Sequence, residues 1–225
     1  MMKVIFAIST IADGNMAISP DQANKSAVLN NRQVFLEKQG ITLKNATRVT
    51  ITYDGDNFCR YREVGRDNFG DGMFDGATQP ADALVTTIPN HALFLPLADC
   101  IGAAIFDSRQ NILMLSHIGR HSLEQFGAIA SVKYLTQNYG SDPADLLIWL
   151  TGAPGKQHYP LFAFDNRSMK DVIFEQFRNA GVLDANIHDD PVDTTTDPRY
   201  FSHSEFLAGR QNDDGRYAVV AMMKP

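Results

Sequence analysis

The feature that most constrains the fold of this chain is a pair of apolar runs around a short polar segment. Residues 101–106 (IGAAIF) and 111–118 (NILMLSHI) flank residues 107–110 (DSRQ), whose side chains are typical of turns. Each run has the length and the aliphatic content of a strand. Two such runs with only a few turn residues between them predict a β-hairpin.

The register of this hairpin decides which side chains meet at its open end. If the turn centres between Ser108 and Arg109, Cys100 faces His117. Directly opposed residues have Cβ atoms about 4.5–5.5 Å apart. Thiolate and imidazole are preferred zinc ligands, and an imidazole can also activate a cysteine nucleophile. A buried cysteine beside a hydrogen-bonded core histidine is a third interpretation, because free cysteine is among the most buried residue types.

The remaining segments predict strands interleaved with helices. Strand patterns occupy residues 3–8, 47–53, 60–64, 81–87, 91–100, 145–150 and 215–223. Helix patterns run from the Ser19–Gln22 start signal to Gly40, over residues 123–140 on a stripe of Leu123, Phe126, Ala130 and Tyr134, and over residues 169–181. Residues 54–79 are predicted to form long loops. The expected fold class is α/β (α+β mixed), with mixed sheets flanked by helices in a single domain, 1–225.

Charge and hydropathy exclude several classes of partner. The formal net charge is −6, whereas nucleic acids and anionic membranes require a basic face. No apolar stretch approaches the ~18 residues of a membrane helix, and the N-terminal segment does not fit a secretory leader. Two cysteines do not make a disulfide scaffold. We therefore expect a cytoplasmic protein with a small-molecule substrate, and the oligomeric state stays open.

Four segments, in order along the chain, resemble a known family. Residues 98–100 (ADC) and 116–122 (SHIGRHS) resemble its "ADC…HAGWRG" core. The other three segments are residues 28–41 (VLNNRQVFLEKQGI), residues 81–100 (ADALVTTIPNHALFLPLADC) and residues 199–223 (RYFSHSEFLAGRQNDDGRYAVVAMM). The family is the bacterial laccase-domain proteins, also called the polyphenol oxidase family and, more recently, purine nucleoside phosphorylases.

This resemblance implies a fold, a metal and a reaction. The fold is α/β with mixed sheets and is similar to the deamidase domain of cytotoxic necrotizing toxins. The implied metal is zinc, held by a histidine, the cysteine of "ADC" and the histidine of "HAGWRG". Cys100 and His117 match two of these ligands, and Asp54 stands where the first histidine is expected. The implied reaction is phosphorolysis of adenosine, inosine and guanosine, with some adenosine deamination, so nucleoside and phosphate are the expected partners.

Three residues are candidate substrate contacts. Arg120 and His121 replace the Trp and Arg of "HAGWRG", and they are candidates for contact with substrate or phosphate. Arg32 matches a family arginine and is a candidate anion contact, or else a solvated helix arginine.

The other histidines have weaker signals. His121 follows His117 by four residues, a spacing at which two histidines on a helix can share a metal, so it is a reserve ligand. His203 lies in the segment that resembles the family's terminal motif. His91 is predicted at a sheet surface.

Three functions remain open from the sequence. The leading hypothesis is a zinc-dependent purine nucleoside phosphorylase-like transferase centred on Cys100 and His117. The second is a cysteine hydrolase that uses the same pair, and the third is a non-catalytic member that binds a nucleoside or a partner. Six histidines without a His-x-His pair argue against copper oxidase chemistry.

Overall fold

Two mixed β-sheets, stacked face to face, form the centre of the structure. The computed structural model describes residues 2–75 and 79–225. The strands are β1 (Lys3–Ile8), β2 (Ala46–Arg48), β3 (Tyr61–Glu63), β4 (Ala83–Thr86), β5 (Ala92–Leu97), β6 (Ile101–Asp107), β7 (Ile112–Ile118), β8 (Leu147–Leu150), β9 (Ile187–Asp189) and β10 (Tyr217–Lys224). The α-helices are α1 (Lys25–Glu37), α2 (Arg120–Glu124), α3 (Gly127–Tyr139), α4 (Met169–Asn179) and α5 (His203–Leu207).

Each sheet combines parallel and antiparallel neighbours. Within the described residues, the first sheet has the order β1-β10-β5-β2, and the second has the order β3-β4-β7-β6-β8-β9. In the first sheet only the β2–β5 pair is parallel, and in the second the β3–β4 and β8–β9 pairs are parallel. The predicted fold class, mixed sheets flanked by helices, is confirmed.

Alternating side chains on the central hairpin explain why its sequence is apolar throughout. On β6, Ala104 and Phe106 pack between the two sheets, whereas Ala103 and Ile105 pack beneath α2, α3 and α4. Successive strand residues point to opposite faces, and both faces of this hairpin are covered. Helix α1 covers the outer face of the first sheet. The layers therefore run helix, sheet, sheet, helices.

The register of the hairpin corrects the sequence prediction by two residues. Phe106 pairs with Leu113 rather than with Asn111, and Gly102 rather than Cys100 pairs with His117. The turn is longer because an Asp107 carboxylate oxygen accepts hydrogen bonds from the backbone N–H groups of residues 109 and 110, at 2.8 and 3.0 Å. Since strand side chains alternate with a period of two, this shift leaves Cys100 and His117 on the same face.

The first helix begins later than its start signal predicts. Gln22 has a φ of +58°, in the left-handed region, which a helix cannot include. The Asn24 side chain accepts a hydrogen bond from the Ser19 N–H at 2.8 Å and donates one to the Ala17 carbonyl at 3.0 Å. These bonds hold residues 17–24 as a turn, and α1 starts at Lys25. The predicted stop at Gly40, where φ is +68°, is confirmed.

The helix predicted over residues 123–140 is two helices. Phe126 adopts a φ of +57° between α2 and α3, and its side chain is 60% exposed rather than on the apolar stripe. Gly127 follows because the chain turns tightly there: a Cβ at this position would lie 2.5 Å from Ser122 Oγ.

Two further segments differ from the prediction. The strand predicted over residues 47–53 is shorter, since β2 ends at Arg48 and the chain continues as a loop. Residues 76–78 of the predicted loop region lie outside the described residues. Among the helices that the structure describes, none has the length and apolar content needed to cross a membrane.

His91 is buried in the core rather than at a sheet surface. Its ring is fully buried and lies between two threonine hydroxyls. Thr47 Oγ1 donates to the Asn68 carbonyl at 2.5 Å, so it accepts from His91 Nε2–H at 2.7 Å. Nδ1 is then the acceptor for the Thr86 hydroxyl at 3.2 Å. Burial lowers the pKa of His91 from 6.5 to about 4, against a smaller opposing effect of Asp71.

We expect His91 to make the fold sensitive to acid. A histidine whose pKa is lower in the folded state contributes full stability above its unfolded pKa of 6.5, and loses that contribution as the pH falls toward about 4. From about pH 7.5 to about pH 5, the free energy of unfolding should fall by about 2 kcal/mol through His91. Urea denaturation at both pH values should show a shallower fall in His91→Gln than in wild-type protein. Equal falls in the two proteins would contradict this assignment.

Candidate functional site

Cys100 and His117 lie side by side at the open end of the hairpin. Both border Gly119: a Cβ placed on this glycine would lie 2.8 Å from Cys100 Sγ, 3.2 Å from His117 Cε1 and 3.6 Å from His117 Nε2. The pair is diagonal across β6 and β7 rather than directly opposed. The prediction that this thiol and this imidazole meet is therefore confirmed, although the register that led to it is wrong.

Asp99 fixes the corner from which Cys100 projects. Its φ is +69°, a left-handed conformation that aspartate tolerates better than most residues. The carboxylate is almost completely buried and accepts a hydrogen bond from Ser202 Oγ at 2.5 Å. Its second oxygen accepts from the backbone N–H of Ser204 at 2.6 Å. One side chain thus ties the start of β6 to the start of α5.

The environment keeps both members of the pair uncharged near neutral pH. Burial, reinforced by the negative charge of Asp99, raises the pKa of the Cys100 thiol to about 12. Burial also lowers the pKa of His117 to about 4, although Asp82 opposes the shift. In the protein alone, the pair is a neutral thiol beside a neutral imidazole, a state that differs from the thiolate of an activated cysteine nucleophile.

Two adjoining cavities share this pair as part of their walls. The larger cavity, about 340 Å³, is lined by Arg48, His203 and Arg216, and we call it the cationic lobe. The smaller, about 160 Å³, is the aromatic lobe, lined by Phe58, Tyr159 and four residues of the segment after β7: Gly119, Arg120, His121 and Ser122. Tyr53, Cys100 and His117 line both lobes. The thiol and the imidazole therefore mark the junction of the two lobes.

A partly buried ion pair shapes the loop that carries Tyr53 and Phe58. The Arg60 guanidinium donates to Asp82 at 2.7 Å, and it also donates to the hydroxyl and the carbonyl of Thr52, each at 2.9 Å. The loop is held from its other side by Gln125, whose side chain accepts from the Phe58 N–H at 2.9 Å. The Phe58 ring then stacks on His121, with ring centroids 4.8 Å apart.

Tyr159 reaches the aromatic lobe from the loop after β8. The Gly155 N–H donates to Asp193 Oδ1 at 2.9 Å, and the carbonyl of the same glycine accepts from the Tyr159 N–H at 2.9 Å. His158 Nδ1 lies 2.9 Å from Glu205 Oε1. Burial is the main reason that the pKa of Tyr159 rises to about 12, so its hydroxyl is protonated near neutral pH. This loop places a neutral phenol opposite Arg120.

The predicted site residues divide into those that reach the cavities and those that do not. Arg120 and His121 line the aromatic lobe, and their roles in substrate binding stay predictions. Arg32 lies elsewhere: its side chain is fully buried and donates to the backbone carbonyls of Met16, at 2.9 Å, and Met73, at 2.7 Å. A guanidinium held this way serves the packing of α1 rather than a ligand in either lobe.

For zinc, the chemistry of the donors fits but their number does not. Asp54 is exposed and lines neither lobe. Within residues 2–75 and 79–225, no group of three Cys, His, Asp or Glu side chains is placed to hold a metal, and this includes the reserve ligand His121. A catalytic zinc site has three protein ligands, and Cys100 and His117 supply two.

Sequence reasoning missed five residues that line the lobes. Arg48 and Tyr53 lie in the segment predicted as a strand, and Phe58 lies in the segment predicted as a loop, and neither prediction gave them a role at a site. Arg216 stands in a segment that resembles the family, in its terminal Gly-Arg pair, whereas Tyr159 lies in none of the four resembling segments. The Gly215-Arg216 pair was the sequence signal that could have indicated a second cationic side chain at the site.

A comparison with family models shows which family this chain is related to. Residues 8–166 match the model described as multi-copper polyphenol oxidoreductase laccase. The chain belongs to this family. The match includes Cys100, His117 and the aromatic lobe, whereas His203 and Arg216 of the cationic lobe lie beyond it. The resemblance inferred from the sequence is confirmed.

Relatives and solved structures agree with this assignment. A protein of Haemophilus influenzae named purine nucleoside phosphorylase is 25% identical over 174 residues, which cover 70% of this chain and 61% of that relative. The fold matches Bacillus licheniformis YfiH, with a TM-score of 0.85 and 19% identity, over 98% of this chain and 93% of that one. It also matches Geobacillus stearothermophilus YlmD, with a TM-score of 0.84 and 18% identity, over 99% and 92%.

Gly119 gives a direct test of the close approach between the two site residues. In Gly119→Ala the new methyl group would collide with Cys100 Sγ and approach the His117 ring. Overpacking of this kind destabilises a protein by about 1–3 kcal/mol. Thermal or chemical denaturation should show this loss for Gly119→Ala, and a change within about 0.5 kcal/mol for Gly65→Ala, because a Cβ at Gly65 meets no atom within 4 Å. Equal stability of the two variants would contradict the geometry.

Proposed function

We propose that this chain is a purine nucleoside phosphorylase-like transferase that cleaves a nucleoside with inorganic phosphate. The observation that supports this most strongly is the pair of unlike lobes that meet at Cys100 and His117. One lobe carries cations suited to phosphate, and the other carries aromatic rings suited to a nucleobase. The name of the Haemophilus influenzae relative points to the same reaction.

The cationic lobe supports the phosphate half of the proposal. Arg48 and Arg216 line it, and guanidinium groups bind phosphate oxygens in forked, charge-assisted pairs. No aspartate or glutamate is among its described lining residues. Arg216 also pairs with Asp214 at 2.6 Å, so Arg48 and the remaining donors of Arg216 would supply the attractive interactions with a phosphate dianion.

The aromatic lobe supports the nucleoside half. Tyr53, Phe58 and Tyr159 offer ring surfaces for a planar base, and Arg120 and His121 offer polar groups for its edge. With its base in the aromatic lobe and phosphate in the cationic lobe, a nucleoside would have its sugar at the junction, beside Cys100 and His117. A phosphate oxygen then attacks C1′, and the C1′–N bond breaks with its electron pair leaving on the base. The role of the chain in this step is to hold the two reactants in line.

The test is phosphate-dependent release of base. Protein purified without a metal-affinity tag is incubated with adenosine, inosine or guanosine, with and without phosphate, and products are separated by chromatography. We expect free base and ribose-1-phosphate only when phosphate is present. Release of base without phosphate indicates a hydrolase, and inosine formed from adenosine indicates deamination. Nucleoside-dependent thermal stabilisation without any turnover indicates a binding protein.

Arg216 gives the matching prediction for the phosphate site. A hydrogen bond to a charged group contributes about 1.5–3 kcal/mol, so Arg216→Gln should raise the KM for phosphate about 10- to 150-fold. The KM for the nucleoside should change much less. Arg178→Gln is the control, because Arg178 is exposed on α4 and pairs with Asp184. An unchanged KM for phosphate in Arg216→Gln would remove this arginine from the proposed site.

Zinc has no role in the proposed reaction, although Cys100 and His117 are residue types that bind zinc. When bound, zinc supplies Lewis-acid chemistry, but two donors from the described residues do not complete a three-ligand site, and no step here depends on it. We expect metal analysis after dialysis against a chelator to find well under one zinc per chain. One tightly held zinc in wild-type protein that is lost in Cys100→Ala would contradict this expectation.

The cysteine hydrolase is the less favoured alternative. A cysteine nucleophile needs a lowered pKa, whereas burial raises the pKa of Cys100 to about 12. We therefore expect iodoacetamide to alkylate Cys100 slowly near neutral pH.

A further inference from the structure

His203 lies at the wall of the cationic lobe with a fixed ring orientation. It is the first residue of α5, and it lines the lobe with Arg48 and Arg216. Its Nδ1 lies 2.8 Å from Asp214 Oδ1. With Nδ1 engaged, the nitrogen through which this ring can act on a ligand is Nε2.

Asp214 fixes the tautomer of that ring. Its Oδ1 also accepts a hydrogen bond from Arg216 Nη1 at 2.6 Å. Burial alone would raise the pKa of Asp214, but the hydrogen bonds from Arg216 and His203 outweigh it and lower the pKa. An ionised carboxylate only accepts hydrogen bonds, so Nδ1 of His203 carries the proton in this contact. When Nε2 carries no proton, its electron pair is free to accept one.

The backbone around the ring is held on both sides. Ser202 donates its N–H to Gln211 Oε1 at 2.8 Å and its hydroxyl to Asp99. On the facing segment, Gly215 packs directly on Phe201: a Cβ there would lie 2.4 Å from Phe201 Cε1. The His203–Asp214 contact therefore joins two segments that are themselves fixed, as a carboxylate does when it orients a catalytic imidazole.

We propose that His203 is a proton-transfer residue of this site, accepting through Nε2 the proton that phosphate gives up, and that Asp214 is the positioning residue that fixes its tautomer. This inference rests on the proposed phosphorolysis. It adds a proton acceptor to a lobe whose arginines only donate, since a guanidinium has no acceptor atom.

The reaction moves one proton from phosphate to the departing base, and such a group can carry it. Hydrogen phosphate carries one proton, and ribose-1-phosphate as its dianion carries none on the phosphoryl group. The oxygen–C1′ bond forms, the C1′–N bond breaks, and the base leaves with the electron pair. The proton that His203 takes from phosphate is returned through solvent to the departing base, which lies in the other lobe, so that the ring regains its starting protonation state. No oxidant, reductant or further reactant is needed.

The charged and titratable groups around His203 are consistent with this role. Asp214 and Arg216 approach from the segment that leads into β10. Asp99 lies behind the helix start through its bonds to Ser202 and Ser204. Across the lobe are four titratable side chains: Arg48, Tyr53, Cys100 and His117. The arginines that attract phosphate thus stand in the same lobe as the histidine whose Nδ1 is bonded to Asp214.

The first experiment tests the tautomer and needs no activity. Long-range ¹H–¹⁵N NMR of the histidine rings, assigned with His203→Gln, reports which nitrogen carries the proton. We expect the Nδ1–H form for His203 in wild-type protein and a loss of that fixed form in Asp214→Ala. An Nε2–H ring in wild-type protein, or a ring unchanged in Asp214→Ala, would overturn the positioning role of Asp214.

The second experiment tests the proton transfer. His203→Gln should lower kcat for phosphate-dependent base release by about 10²–10³-fold, with the KM for phosphate within about threefold of the wild-type value. His188→Gln is the matched control, because His188 is exposed on β9, and its kinetics should be unchanged. A His203→Gln protein with wild-type kcat overturns the role of His203 while the proposed function stands. No base release by wild-type protein overturns the proposed function and, with it, this role.

Discussion

The site depends on one buried carboxylate, that of Asp99. A charged group in the interior is tolerated only when its hydrogen bonds are satisfied, and here both oxygens are bonded to the segment that begins α5. The bonds also sustain the left-handed backbone that turns Cys100 toward His117. Of the two segments that this carboxylate connects, one supplies Cys100 to both lobes and the other supplies His203 to the cationic lobe. The carboxylate thus helps to hold the Cys100 thiol and the His203 ring in fixed positions relative to each other.

Local patterns were sufficient to predict the layers of the fold. The hairpin of β6 and β7, the helix α4 and the strand β10 all follow from apolar periodicity, and mixed sheets follow from their order. Two of the errors lie where a side chain bonds the backbone: Asp107 lengthens the hairpin turn, and Asn24 delays α1. Periodicity cannot detect such bonds, because they alter where an element begins rather than which face it buries.

The candidate site was predictable only in part, for a related reason. Cys100, His117, Arg120 and His121 are close in sequence around one hairpin, so a local argument and the family resemblance reach them together. Arg48 and Tyr53 join them through packing between distant segments, and no local pattern encodes that. Arg32 was predicted as an anion contact because it matches a family arginine. It lies instead on a helix that directs its guanidinium into the core. A motif identifies a residue, but the direction in which the side chain of that residue points depends on tertiary structure.

The break between α2 and α3 bears on how the protein moves. The left-handed residue 126 separates a five-residue helix from the longer one, so α2 lacks the continuous backbone bonding that would extend α3 through it. Gln125, at the end of α2, is bonded to the backbone of residues 56 and 58. The short helix and the facing loop are therefore joined to each other, and Leu123 of α2 is fully buried in the core that it shares with α3 and α4. A change in the position of α2 would therefore move both sides of the aromatic lobe together.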